Sequence, residues 1–373
     1  MIRRKFMTAS AATAGVAAVA GVGGPMLTKK QPASAASAPM ATNSMSPKSA
    51  GASTPSAAAA PKPKTLPQPA TLDNIDGVST FFTPNKDFYR VDTSLLVPKL
   101  STAGWQLKIH GMVDKPITIN YSDLSKMDML EHDVTLTCVS EAVGGGYVGN
   151  ARWTGTLLAP ILRQAGLQSG AQQIVMRDGN GMTIGGAVDP IMDGRNSMLA
   201  IGMNGQALPA EHGFPVRVVI PGIYGYVSAT KWVVDMEVTT FGAYTAYWSQ
   251  ASHGSWSQQG PIKTESRIDV PKTNASVKAG TTAIAGVAWA QHTGIAGVEV
   301  STDGGMNWHT AKLPAQDTID TWRQWYYMWD AAPGQYTIMV RATDKSGYTQ
   351  TSVKHRTEPN GATGYHTINV TVA

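Results

Sequence analysis

An abrupt change of composition near residue 70 constrains this chain more than any other feature. The first 70 residues hold eight Lys or Arg and no Asp or Glu, and from Gln31 to Ala70 they are mostly Ala, Pro and Ser. Such a stretch buries too little apolar surface to offset the entropy of ordering it. It reads as a flexible tether over 36–70, so a packed core must come from the residues that follow. Of the 30 basic side chains in the 373-residue chain, 22 lie beyond Ala70 together with all 25 acidic ones. The part that can fold is therefore slightly acidic, and a nucleic-acid partner loses its electrostatic basis.

Residues 1–35 have the layout of an export leader, with Arg3, Arg4 and Lys5 preceding an Ala/Gly/Val stretch. The paired arginines followed by Phe6 resemble a twin-arginine signal, a route that exports proteins already folded. The expectation is a protein on the periplasmic or cell-surface side of the membrane. The alternative is a leader that stays in the membrane as an anchor. One cysteine, Cys138, cannot pair within the chain, so core packing rather than disulfides must hold the fold.

Beyond residue 70, short runs with strand character occur at 105–111, 116–120 and 133–138. In the last of these Val134 and Leu136 alternate with polar neighbours, as in a half-buried strand. A helix is expected over Leu157–Ala165, with Pro160 near its first turn and Gly166 as its stop. Further strands are expected at 214–222 and 230–241. Past Gly260-Pro261 the texture changes to short strands between turn residues, including a hairpin turn at Asp303-Gly304-Gly305. The reading is an α+β chain: a mixed domain over 71–258 and an immunoglobulin-like β-sandwich over 259–373.

Several motifs invite chemistry. Gly144, Gly146 and Gly149 match G-x-G-x-x-G, but no acidic residue follows about twenty positions on, so a glycine loop allowing close backbone approach explains them better than a dinucleotide site. Ser228-Ala-Thr-Lys231 matches the S-x-x-K of penicillin-recognising hydrolases, without the companion motifs that chemistry needs. The eight histidines form no metal-ligand pattern. Cys138 ends a predicted strand and enters a glycine-dense loop. A thiol there is either a small buried hydrophobe or, as thiolate, a ligand for a transition metal.

The order of segments decides between these. Thr137-Cys138, Asn150-Ala-Arg-Trp-Thr-Gly155, Met203 to Pro209, His212-Gly-Phe-Pro-Val-Arg217, Pro221-Gly222 and Lys231-Trp232 together resemble the molybdopterin domain of the sulfite oxidase superfamily. The region after it resembles that family's immunoglobulin-like dimerisation domain. The resemblance implies a molybdenum-molybdopterin cofactor with Cys138 as metal ligand. It implies contacts to the cofactor from Asn85, Tyr89, Arg90, Asp178, His212, Arg217, Ser228 and Lys231. Arg152 belongs either to that set or to a structural salt bridge. The implied reaction is oxygen-atom transfer on a small sulfur or nitrogen oxide, as in a sulfoxide reductase or a sulfite oxidase.

The chain departs from the family where a sulfite dianion is bound. The arginine-rich turn after the cysteine is Val139-Ser-Glu-Ala-Val143 here, and the family's active-site tyrosine, a few residues past a tryptophan resembling Trp248, falls near His253. A doubly charged substrate finds fewer cations. His253 and Glu141 are either proton carriers or solvated loop residues. With no haem domain ahead of the molybdenum domain, electrons are expected to pass through a separate partner, a membrane redox subunit or a cytochrome, and the C-terminal domain to form a homodimer. Two competing readings are a binding or scaffold protein that kept the fold without the reaction, and a hydrolase using Ser228 and Lys231.

Overall fold

The computed structural model describes residues 66–92, 97–253 and 256–373. The leader and most of the tether read from the sequence lie outside the described residues. Among those described, no helix is long and apolar enough to cross a membrane.

Two sheets build the first domain. In one, the strands run in the order Ile117–Asn120, Gln106–Gly111, Val233–Thr239, Gln173–Asp178, Thr183–Ala187. Gln106–Gly111 lies parallel to Val233–Thr239, and the other neighbours are antiparallel. Leu107 and Ile109 are fully buried between exposed Gln106 and Lys108, the period-two pattern of a strand with one face on the core. The helix Leu158–Ala165 packs Leu158, Ile161, Leu162 and Ala165 into the same core. It stops at Gly166, whose φ of 73° places it in the left-handed region.

The second sheet runs Leu130–Thr137, Val148–Leu157, Met198–Met203, Gln206–Ala207, with Arg217–Val219 also paired to Met198–Met203. The strand expected over 214–222 is thus only three residues long, bounded by Pro215 on one side and Pro221 on the other. Leu130–Thr137 departs from expectation in a way that matters for function. The alternation of Val134 and Leu136 predicts a solvated polar face, yet Asp133, Thr135 and Thr137 are buried as well. The reason is that C-terminal segments cover this edge strand. Thr135 N–H donates to the Asp320 carbonyl (3.0 Å), Gln291 Nε2 donates to the Thr135 carbonyl (3.1 Å), and Thr318 Oγ1 donates to the Asp133 carbonyl (3.3 Å). A free strand edge is a row of unpaired polar groups, and here the second domain pairs it.

The buried carboxylate on that strand belongs to a salt bridge. Arg152 meets Asp133 through two bonds of 2.8 Å, Nε to Oδ1 and Nη2 to Oδ2, and Asp133 is fully buried. Arg152 also donates to the carbonyls of Leu66 (3.1 Å) and Pro67 (2.9 Å). Its structural reading therefore stands. A buried guanidinium with spare donors thus engages the backbone at residues 66 and 67. Arg152→Met leaves the Asp133 charge uncompensated, and the expected cost is about 3–5 kcal/mol in urea unfolding. A loss below about 1 kcal/mol, the range of a surface ion pair, would contradict this account.

The C-terminal domain is a sandwich of a three-stranded sheet, Glu265–Val270, Gly280–Trp289 and Arg323–Ala331, on a five-stranded one. The latter is ordered Ser276–Val277, His366–Val372, Gly334–Asp344, Ile295–Ser301, His309–Thr310. Ile284, Val300, Trp325, Ile338 and Val340 fill the space between the sheets, all at 0% exposure. The turn at Asp303-Gly304-Gly305 is present, with φ of 74° and 95° at the two glycines and Asp303 Oδ1 accepting from Asn307 N–H (2.9 Å).

Candidate active site

A cavity of about 140 Å³ opens in the first domain. Six of the residues singled out from the sequence line it: Tyr89, Cys138, Asp178, His212, Arg217 and Lys231. They come from five separate stretches of chain, which the two sheets bring together.

Cys138 directly follows the strand Leu130–Thr137, its N–H bonded to the Tyr147 carbonyl (2.9 Å), which closes a hairpin over 138–147. Ser140 N–H points at Sγ (3.4 Å). The thiol is 7% exposed, and burial pushes its pKa up. A thiol so placed keeps its proton unless a cation replaces it, which is the condition for metal ligation rather than for free thiolate chemistry.

Arg217 starts the short strand Arg217–Val219 and lies beside the Trp153 ring, 4.8 Å from its centroid. Its Nη1 donates to the His212 carbonyl (3.1 Å), while Nε is buried with no partner. Burial lowers its pKa to about 10, still charged at neutral pH. Thr230 Oγ1, on the same wall, is likewise buried and unpartnered. Native interiors rarely leave such groups unsatisfied, and a cluster facing a cavity marks a place where a polar ligand belongs.

His212 donates through Nε2 to the Asn85 carbonyl (2.9 Å), and burial keeps its ring neutral by lowering the pKa. Lys231 forms an ion pair with Asp92 and lies over the Trp232 ring, 4.8 Å from its centroid. Neighbouring side chains on regular strand point to opposite faces. Here Lys231 and Trp232 both line the cavity, because Trp232 adopts φ of 54° and is held there by its Nε1 bond to the Ala210 carbonyl (2.7 Å). Asp178 uses Oδ1 to accept from Asn180 and Met182 N–H, which fixes the turn at the cavity wall.

Four expected residues do not reach the cavity. Asn85 spends its side chain on Met203, Asn204 and Gln206, and so acts by holding His212 through its backbone. Arg90 does not line the cavity itself but pairs with Asp92 (2.7 Å), which does. Ser228 is fully buried with its hydroxyl engaged at the carbonyls of Ile223 and Tyr224 (both 2.9 Å), which leaves no free Oγ for Lys231 to activate. His253 packs on the Tyr247 ring, with centroids 3.8 Å apart, and pairs with Ser252 Oγ. From that segment it is Trp248 and Trp256 that line the cavity. Reading by motif missed Thr230, Tyr226 and Trp256. For Tyr226 and Thr230 the available signal was the run of aromatic and hydroxyl residues in Tyr224–Trp232. Two glycines of the G-x-G-x-x-G match serve packing: a Cβ at Gly144 would strike His366, and one at Gly149 would strike Phe88, whereas Gly146 has open space around it.

Two further carboxyl groups, one on the Cys138 hairpin and one at the start of the strand Glu265–Val270, are buried. Glu141 is 2% exposed, accepts from Tyr147 N–H through Oε2 and leaves Oε1 unpartnered; burial raises its pKa to about 7. Glu265, 4% exposed, is raised to about 8 by burial and then by the charge of Glu141, with Lys263 opposing. A carboxyl that holds its proton in the native state and loses it near pH 4 to 5 when unfolded makes stability fall as pH rises toward 8. Glu265→Gln should therefore remove a slope of about one proton between pH 5 and 8, with melting temperature raised at pH 8 and unchanged at pH 4. Parallel slopes for the two proteins would contradict the assignment.

Comparison with known proteins fits this geometry. Residues 94–248 match the oxidoreductase molybdopterin binding domain and residues 258–372 the Mo-co oxidoreductase dimerisation domain. Human mitochondrial sulfite oxidase is 29% identical over 318 residues, covering 72% of this chain and 57% of the human protein. The NADH nitrate reductase of Ulva prolifera is 27% identical over 318 residues, 69% of this chain and 36% of that protein. The chain thus spans little more than half the length of the human sulfite oxidase and about a third of that of the algal nitrate reductase. In fold it resembles the sulfane dehydrogenase SoxCD from Paracoccus pantotrophus, with a TM-score of 0.67 at 23% identity over 82% of this chain and 90% of that one. The chain belongs to the sulfite oxidase superfamily, with the molybdopterin domain followed by the dimerisation domain. The cavity suits that cofactor: a thiol for the metal, and unsatisfied Arg217 and Thr230 donors for a phosphate-bearing polar group.

Proposed function

We propose that this chain is an exported molybdopterin-dependent oxidoreductase that transfers an oxygen atom to or from a small, uncharged sulfur or nitrogen oxide. The observation that carries this reading is the cavity itself, which joins the Cys138 thiol to the half-bonded Arg217 guanidinium, Thr230 and Lys231 and carries an apolar stretch of wall made by Val139, Met182, Ile184, Tyr226, Trp248 and Trp256. When bound, the metal and its pterin supply the two-electron redox chemistry; the protein supplies orientation and electrostatics. In this reading Cys138 ligates the metal, and Arg217 and Lys231 neutralise the anionic end of the pterin, with Arg217 and Thr230 giving it hydrogen bonds. His212 is held neutral and Asp178 shapes the turn beside them. The apolar aromatic wall excludes water and disfavours a dianion. Electrons pass to or from a separate partner, a membrane redox subunit or a cytochrome, and residues 259–373 pair two copies.

The test is metal and pterin analysis of protein made with its own leader in a molybdenum-replete host. Absence of both would sink the enzyme reading in favour of a scaffold. In a reduced-dye assay, sulfoxides and N-oxides are expected to turn over. Rapid sulfite oxidation with ferricyanide would instead overturn the uncharged-substrate reading.

A further inference from the structure

The hairpin that carries Cys138 is glycine-rich, with Gly144, Gly145 and Gly146 at its far end. Three consecutive glycines give the backbone wide conformational freedom. A metal ligand must nevertheless be held within about 0.5 Å of its working position. Within the first domain the hairpin is held by its closing bond from Cys138 to Tyr147, the turn bonds from Glu141 N–H to the Cys138 carbonyl (3.0 Å) and from Gly145 N–H to the Ala142 carbonyl (2.8 Å), the Glu141 carboxylate on Tyr147 N–H, and the packing of Val139 with Tyr224, Tyr226 and Trp256. Further restraints on both arms come from the C-terminal domain.

On the incoming arm, Gln291 Nε2 donates both to the Thr135 carbonyl (3.1 Å) and to Thr137 Oγ1 (2.9 Å), one residue before the cysteine. On the outgoing arm, Arg267 Nη1 donates to the Gly145 carbonyl (2.7 Å). Arg267 is itself fixed by Asp269 Oδ1 and Ser79 Oγ, each at 2.8 Å. At the tip, Gly144 lies against His366, whose Nδ1 accepts from Ile268 N–H (2.9 Å), so that ring cannot swing away without losing a bond.

We propose that the C-terminal domain is part of the active-site frame, with Gln291 and Arg267 as positioning residues that clamp the two arms of the Cys138 hairpin. A domain whose recognised task is to join two copies thus has a second task within one chain. Loss of either clamp frees the hairpin locally and leaves the sandwich core untouched. The inference rests on the proposed metal-ligand role of Cys138 only for its catalytic consequence.

The test uses the full chain without cofactor. Cys138 is the only cysteine in the chain, so its alkylation by iodoacetamide is read directly from the intact mass. Arg267→Met and Gln291→Met should each speed alkylation on the order of tenfold, since Gln291 gives two hydrogen bonds to the incoming arm and Arg267 one charge-assisted bond to the glycine-rich outgoing arm. Amide exchange should rise over 138–147. Arg267→Lys, which keeps the charge and a donor, should restore most of the protection. Arg341→Met is the control, because Arg341 pairs with Glu299 and lies over Trp308 within the sandwich. Equal acceleration in that control, or unchanged alkylation in folded Arg267→Met and Gln291→Met, overturns the proposal. Should Arg267→Met fail to fold, Gln291→Met and Arg267→Lys carry the same comparison. A wild-type chain that binds no molybdenum would refute the metal-ligand reading while leaving this result intact.

Discussion

Cys138→Ser is expected to abolish turnover while leaving the protein folded. The substitution exchanges sulfur for oxygen at a site that is 7% exposed, with no change in side-chain branching and little in volume, so the packing around it survives. The effect on chemistry is far larger. Groups that only support a metal's ligands cost about 10–100-fold when removed, and a direct ligand should exceed that, giving a loss on the order of 10³-fold or more. On the proposed reading the pterin has its own anchors at Arg217, Thr230 and Lys231, so cofactor content should fall much less than activity. The measurement is kcat alongside pterin and molybdenum per chain. Activity within tenfold of wild type would remove the thiolate from the mechanism.

Arg217→Met is expected to act in opposite directions on the empty and the loaded protein. In the empty protein, a buried guanidinium with an unpartnered Nε is a desolvated charge that only two carbonyls and the Trp153 ring compensate. Replacing such a buried charge by an apolar side chain of similar length is often stabilising, here by about 1 kcal/mol or more. In the loaded protein the same change removes a charge-assisted donor from an anionic ligand. Breaking such a buried pair costs about 3–5 kcal/mol, or more than a hundredfold in affinity. The empty variant should therefore melt above the empty wild type, and should retain little pterin when produced beside it. A variant that loses stability without cofactor and keeps its pterin content would show that Arg217 serves packing alone.

The same two residues both line the cavity. Each drew attention in the sequence because it sits in a short linear segment, Thr137-Cys138 and His212-Gly-Phe-Pro-Val-Arg217, whose chemistry is local: a thiol at a strand end, and a cation beside a glycine turn. The helix ending at Gly166 and the turn at Asp303-Gly304-Gly305 were identifiable for the same reason, since a left-handed residue or a type of turn is a property of a few adjacent positions.

What the sequence could not decide was which of several similar side chains face the cavity. Ser228 and Thr230 are two positions apart, both small hydroxyl residues, yet Ser228 is bonded into the turn at Ile223 and Tyr224 while Thr230 faces the site unpartnered. His253 and Trp256 likewise share a segment, and only the tryptophan reaches the cavity. The alternation in Leu130–Thr137 predicted a wet face that the C-terminal domain in fact covers. In each case the deciding contact comes from residues distant in the chain, as with Gln291 on Thr137 and Asp320 on Thr135. Segment chemistry and local turns were written in the sequence by itself. The facing of side chains, and the clamp on the cysteine hairpin, depend on which polar groups find partners once distant strands meet, and only the tertiary structure settles that.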